Sequence, residues 1–364
     1  MKSIKRIKIK NKRIVLRMDL DVPIKDGKVV DDTRLKESLK TLNYLKEAKQ
    51  IIIIGHLGRP KGYDKKLKLD PVAKKLSYLI KHKIKKLDDF VNINIPDDKF
   101  IMLENLRFSP EEMKNSAKFS KQLASFGDIY INDAFSVCHR KAASIVGITK
   151  LLPSYPGFKL EQEYKVITSL LKKTKKPFTM ILGGSKLDKI KILKPLLKKT
   201  DCVLIGGAMM FTFLKAQGFE IGKSKLDKEN INIAKSILSK KIILPIDVTL
   251  NNKKDVNIEK IPKNCKGLDI GKESAEIFSE IIKNSKTIIW NGPMGFFEKI
   301  PFNKGSNAIA KAISESNAKS IIGGGDTVFS AKRYLKNFTH YSTAGGAFLE
   351  LISGKKLPGI KALE

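Results

Sequence analysis

Cysteine is scarce. Only Cys138, Cys202 and Cys265 occur in 364 residues, far apart, with no metal-ligand spacing and no even set for a disulfide framework. Such sparse thiol use in a long chain fits a reducing compartment, and the cytoplasm is the expected location. No apolar run approaches the ~18 residues that cross a bilayer, so no membrane association is expected. The N-terminal MKSIKRIKIKNKRIVLRMDL is basic but has neither an apolar h-region nor a small-residue cleavage site, and it is not read as a secretory signal. Three nucleotide-handling patterns are missing as well. There is no G-x-x-x-x-G-K-[ST], no H-R-D with D-F-G, and no G-x-G-x-x-G after any strand, which excludes P-loop, protein-kinase and simple dinucleotide-binding readings.

Arginine is the other scarce residue. Lysine and arginine total 71 against 37 acidic residues, for a net charge of +34, yet arginine occurs only at 6, 13, 17, 34, 59, 107, 140 and 333. The lysines come mostly as short pairs spread over the whole chain, without an RNP, KH or zinc-finger pattern. We therefore read the charge as general lysine richness that steers anionic substrates inward, not as a specific nucleic-acid footprint. A chain that uses arginine so sparingly and puts four of eight just past apparent strands is using its planar fork, which grips phosphate or carboxylate at two points.

What is present is an alternation. Short apolar runs at 13–20, 50–56, 100–106, 128–135, 178–184, 202–207, 241–248, 286–292 and 319–325 are separated by amphipathic helical patterns. Runs apolar at both alternating positions are those of strands covered on both faces, so the fold class is α/β with two doubly wound parallel-sheet, Rossmann-like domains. The expected division is an N-terminal anion-binding domain over 1–158, a connecting helix over 159–174, a C-terminal nucleotide-binding domain over 175–345, and a C-terminal helix with an extended tail over 346–364 that returns to the N-terminal domain. Ligands of open α/β sheets sit beyond the carboxyl ends of strands. In the first half those ends carry Asp19 and Asp21, then Arg34, His56 and Arg59 in GHLGRP, Arg107, and His139–Arg140. These form a rim for a small, multiply charged anion. In the second half the ends carry glycines: GGSK (183–186), GGA (206–208), NGPMG (291–295) and GGGD (323–326). Such glycines let backbone N–H groups approach phosphates. Asp326, just beyond the last of them, is a hard oxygen ligand suited to Mg²⁺ bridging phosphates.

The segments RMDLDVPIKDGKVVDDTR, GHLGRPKG, LENLRFSPEE, INDAF, GGSKLDKI, GLDIG, WNGPMGFFE, IIGGGDT and STAGGA together resemble the phosphoglycerate kinase family, in its order, from about Arg13 to Leu363. The resemblance implies a monomeric two-domain enzyme with a closing hinge and a cytoplasmic role in glycolysis. It would move a phosphoryl group between 1,3-bisphosphoglycerate and MgADP to give 3-phosphoglycerate and MgATP. It implies that Asp19, Asp21, Arg34, His56, Leu57, Gly58, Arg59, Arg107 and Arg140 hold the triose. It assigns the nucleotide to Gly183, Gly184, Lys189, Gly206, Gly267, Asn291, Pro293, Glu298, Gly324, Gly325, Asp326 and Thr327, with Asp326 on the metal. Arg34, Lys186, Lys189 and Gly325 would act on the transferring group. The chain departs from the family pattern at Asp21 (Asn in the family), Ser136 (Gly), Ala142 (His) and Ala344 (Gly), and GGSKLDKI is one residue short between its lysines. The apolar positions 190, 192, 193, 196 and 197 keep a helical stripe in phase with Lys189, which makes Lys189 the expected functional lysine. Two other readings stay open on sequence alone: a weakened relative of the family, and a basic nucleic-acid-binding protein on the same scaffold.

Overall fold

Five consecutive residues, Gln50–Ile54, are buried without exception, and their strand lies in the interior of a six-stranded parallel sheet. This is what a β-branched run covered on both faces does. The computed structural model describes residues 1–91, 93–185 and 187–364. It divides into two compact units: Met1–Lys165 with Lys356–Glu364, and Val166–Lys355.

The sheet of the first unit runs, edge to edge, Lys85–Lys86, Phe100–Met102, Gln50–Ile54, Arg13–Arg17, Ile129–Asn132 and Ser154–Pro156. The chain first winds outward from Arg13–Arg17 to one edge, then returns to build the other edge from Ile129. The switch in direction falls between Arg13–Arg17 and Ile129–Asn132. The second unit orders its strands Ile242–Ile243, Cys202–Ile205, Phe178–Leu182, Thr287–Asn291, Lys319–Gly323 and His340–Ser342, all parallel. In chain order this is 3-2-1-4-5-6, the dinucleotide-fold order, with its switch between Phe178–Leu182 and Thr287–Asn291.

Helices cover the faces by amphipathic spacing. Asp70–Ile80 buries Val72, Ala73, Leu76 and Ile80, carries Pro71 in its first turn, and ends on Lys81 in the left-handed conformation. The helix Phe158–Lys172 contains the division between the units. Its first turn is capped from the switch point of the first unit, where Asp133 Oδ1 accepts the N–H groups of Lys159 at 2.9 Å and Leu160 at 3.3 Å.

Two expectations need correction. The run 241–248 is not one strand. Pro245 has no N–H for a ladder, so Ile242–Ile243 ends the parallel sheet while Asp247–Leu250 joins a separate antiparallel sheet with Asp255–Asn257 and Gly267–Ile270. The chain's end is not extended either. Pro358–Lys361 forms a helical turn, and the Gly359 N–H donates to Cys138 O at 2.8 Å within the first unit. The helix Gly346–Ile352 belongs to the second unit.

Candidate active site

At the switch point of the first unit, Arg17 ends its strand with its side chain fully buried. Two residues on, Asp19 is also buried, and Arg34 reaches it from the helix Thr33–Glu37, Nη1 to Oδ1 at 3.3 Å. The same Arg34 nitrogen donates to Asp21 O at 2.9 Å and lies 3.8 Å from Asp21 Oδ2. Asp21 Oδ1 accepts the Gly58 N–H at 2.8 Å, and Arg107 Nη1 donates to Gly58 O at 2.7 Å. Leu57 is buried, and its carbonyl accepts from Asn105 Nδ2 at 2.8 Å, which fixes the loop that carries Gly58. Gly58 has φ +67°, a conformation that favours glycine. Arg59 and Arg140 are exposed, and together with Arg107 their charges act on His139.

His56 and His139 add no positive charge to this rim. Burial, then the Arg17 and Arg107 charges, holds the His56 imidazole well below its ordinary value. Burial and the adjacent Arg140 push His139 down to about 4. Both rings are neutral at physiological pH, so the charge comes from the arginines. Burial and Arg17 lower Arg107 to about 10, which leaves it cationic. Asp19 stays ionised: burial alone would raise it, but the Arg34 and Lys159 charges outweigh burial and hold it well below the usual carboxylate range.

In the second unit the glycine-rich turns meet at the other switch point. Gly184 (φ +86°) donates its N–H to Pro293 O at 2.6 Å, Gly207 to Met294 O at 2.7 Å, and Gly206 to Leu182 O at 2.8 Å. Gly183 donates to Asn291 O at 3.1 Å. Asn291 Nδ2 donates to Gly323 O at 2.6 Å; Thr327 Oγ1 donates to the same carbonyl and accepts from Gly292 N at 2.7 Å. A Cβ on Gly183, Gly206 or Gly207 would collide with the neighbouring loop, and one on Gly323 with the Phe348 ring. The first demand on these glycines is thus the packing of the turns against one another. Gly267 is similar, since a Cβ there would enter the Phe211 ring. Gly324 is different. At φ +100° it opens the helix Gly325–Ser330, with contacts to Asn291 and Thr327 that stay beyond collision distance.

Lys189 points its ammonium at these strand ends, 2.8 Å from Gly183 O and 3.3 Å from Asn291 O. Asp326 and Glu298 are exposed, and the Asp326 carboxylate makes no hydrogen bond or ion pair among the described residues. A free hard oxygen donor beside the glycine turn fits Mg²⁺. Lys186 lies outside the described residues. The structure thus gathers Asp19, Asp21, Arg34, His56, Gly58 and Arg107 into one network, with Arg59 and Arg140 at its exposed edge. It gathers Gly183, Gly184, Gly206, Lys189, Asn291, Pro293, Gly324 and Thr327 into a second. Sequence reasoning missed Arg17, Ser144 and Glu112, which support the first network from behind. The available signal was an arginine inside the apolar run RIVLRMDL.

Two doubly wound units, one with an arginine-lined rim and one with glycine turns at its switch point, define a phosphotransferase architecture. A family model described as phosphoglycerate kinase matches residues 4–355. The phosphoglycerate kinase of Pelotomaculum thermopropionicum is 42% identical over 387 residues, covering 100% of this chain and 98% of its own. That of Clostridium kluyveri is 43% identical over 390 residues, with 100% and 98% covered. The Pyrococcus horikoshii structure superposes with a TM-score of 0.89 at 31% identity over 100% of this chain and 98% of its own. The Coxiella burnetii structure gives 0.81 at 35% over 99% and 98%. The chain belongs to the phosphoglycerate kinase family. It is an enzyme of the kind that transfers phosphate to the carboxyl of 3-phosphoglycerate.

Proposed function

We propose that this chain catalyses reversible phosphoryl transfer between 1,3-bisphosphoglycerate and ADP, giving 3-phosphoglycerate and ATP, as a cytoplasmic monomer in glycolysis. The observation that carries this reading is the pairing of chemistries at the two switch points: fixed guanidinium groups in one unit, and glycine turns with a lysine in the other. Arg34, Arg59, Arg107 and Arg140, with neutral His56 as a donor and Leu57–Gly58 as floor, hold the triose; Asp19 and Asp21 orient Arg34. Lys189 and the turns at Gly183–Gly184, Gly206, Asn291–Pro293 and Gly324–Thr327 hold the nucleotide phosphates, with Gly267 and Glu298 toward the nucleoside. Asp326 would hold Mg²⁺, which supplies charge neutralisation on the phosphates.

The acceptor is a carboxylate, ionised at neutral pH, so no general base is required. Neutral histidines fit that demand. Catalysis is then positioning plus stabilisation of charge in a loose transition state, assigned to Arg34, Lys186, Lys189 and the Gly325 N–H. Because triose and nucleotide are assigned to different units, transfer requires closure of the hinge, which also keeps water from the transferred group. A coupled assay with 3-phosphoglycerate and ATP tests the proposal. Magnesium-dependent turnover at rates on the order of 1–100 s⁻¹ is expected. Folded protein without turnover would overturn it.

A further inference from the structure

We propose that Arg17 fixes the His56 ring as the tautomer that carries its proton on Nε2, making His56 a standing hydrogen-bond donor to the anionic ligand. Arg17 is a positioning residue here, and His56 is the group that touches substrate. Arg17 Nη2 lies 2.9 Å from His56 Nδ1. A guanidinium can only donate, so Nδ1 must accept, and the ring proton is left on Nε2. Among the described residues His56 Nε2 makes no hydrogen bond, and Asp21 Oδ2 lies 3.8 Å away, beyond hydrogen-bond range, so the Nε2–H is open to a ligand. An imidazolium would put two N–H groups against each other at Nδ1. The groups around the ring are Arg17, Arg107, Asp19, Arg34 and Asp21, and burial together with the arginines disfavours a second proton.

Arg17 is itself locked. Its Nε donates to Ser144 Oγ at 3.0 Å, and Nη1 donates to Met18 O. Ser144 passes this on: Oγ donates to Glu112 Oε1 at 2.6 Å, and its N–H donates to Oε2 at 3.0 Å. Tyr130 holds Ser144 O at 2.6 Å. Glu112 is buried and supplies the counter-charge to Arg17 through the serine hydroxyl. A buried arginine held at Nε and Nη1 has little freedom to swing away, so its demand on Nδ1 is permanent.

The first test is nitrogen NMR of the free protein with labelled histidine, with His56 assigned by loss of its signal in His56→Gln. A single Nε2–H tautomer, unchanged from about pH 5 to pH 8, is expected. An Nδ1–H ring, or titration inside that window, overturns the proposal. In Arg17→Met the ring should populate both tautomers or titrate. Ser144→Ala, which loosens the guanidinium without removing it, guards against an Arg17 variant that does not fold; a ring unchanged in every variant that folds overturns the proposal. The kinetic arm rests on the proposed function. There Arg17→Met should raise the KM for 3-phosphoglycerate by about 10- to 100-fold, the size of one hydrogen bond to a charged group, and leave the KM for ATP unchanged. His56→Gln, which keeps an N–H near the Nε2 position, should retain more triose affinity than His56→Leu. Equal loss for both substrates overturns the positioning role. The tautomer arm needs no activity, so failure of the kinase reading and failure of this one are read separately.

Discussion

Asp21 is a carboxylate on an arginine-rich rim, and its neighbours explain how it stays. Gly58 N–H occupies Oδ1, and Arg34 and His56 Nε2 each lie 3.8 Å from Oδ2. Its charge is shared with Arg34, the cation proposed above to bind the triose. Two like charges ~4 Å apart repel by about 4 kcal/mol at an effective dielectric of 20, so bound substrate should feel some of this. In Asp21→Asn the amide oxygen can still accept from Gly58. The KM for 3-phosphoglycerate is expected to stay the same or fall several-fold in steady-state kinetics. A tenfold rise would mean that Asp21 makes a contact the substrate requires. At this scale the sequence was legible wherever a rare residue stood in a loop. Arginine scarcity pointed to Arg34, Arg59, Arg107 and Arg140. It did not reveal Arg17, because a strand interior reads as core and the partner of its guanidinium, Ser144–Glu112, comes from distant segments. Nor could composition show that His56 and His139 are neutral, since burial decides it.

At the scale of elements, the stretch after GGS shows pattern and geometry parting slightly. The expected continuous α-helix is a 3₁₀ segment over Leu187–Ile192 followed by Leu193–Leu197. Among the described side chains here, Ile190, Leu193 and Leu196 are fully buried, a spacing of three that keeps them on one face. This phase leaves Lys191 exposed and turns Lys189 onto the carbonyls of Gly183 and Asn291. Lys189→Ala should therefore raise the KM for ATP or lower kcat by about 100-fold or more, the usual loss for one well-placed transition-state donor. Lys191→Ala should change either by less than about twofold. The reverse ranking would show that the second lysine reaches the nucleotide. Strands were legible because unbroken β-branched runs need two covered faces. The run 241–248 misled because Pro245 splits it between two sheets. The glycine turns were found correctly, but what crowds them is another backbone, which no local pattern announces.

Across the whole molecule, two buried carboxyls act in one direction with pH and a third acts against them. Burial raises Asp133 to about 6 in the first unit and Asp269 to about 7 in the second. Each binds a proton more tightly folded than unfolded, so the folded chain holds more protons between about pH 4 and 7, and stability falls as pH rises through that window. At one pKa unit to about 1.4 kcal/mol, the charged forms cost on the order of 3–4 kcal/mol each. Asp19, held low by Arg34 and Lys159, works the other way: its stabilisation is present above about pH 4 and is lost as pH falls below. The urea midpoint should therefore be higher at pH 5 than at pH 8. Asp269 Oδ2 accepts Gly305 N–H at 2.9 Å, so Asp269→Asn keeps much of that contact and should flatten the fall between pH 5 and about 7. A midpoint constant from pH 5 to 8, or one that rises, would exclude these carboxyls as its cause.

The discontinuity of the first unit bears on how the chain is made. Its last pieces, Leu357, Ile360 and Leu363, are buried, and Gly359 packs so closely on Cys138 and Ile145 that no side chain fits between them. A ribosome delivers this segment after every residue of the second unit. Until then Cys138 O lacks the N–H of Gly359, and the surface at Ala143–Gly147 that the turn Pro358–Lys361 will cover stays wet. The loop from Phe135 to Arg140, which carries half of the arginine edge, is thus the part of the first unit that synthesis completes last.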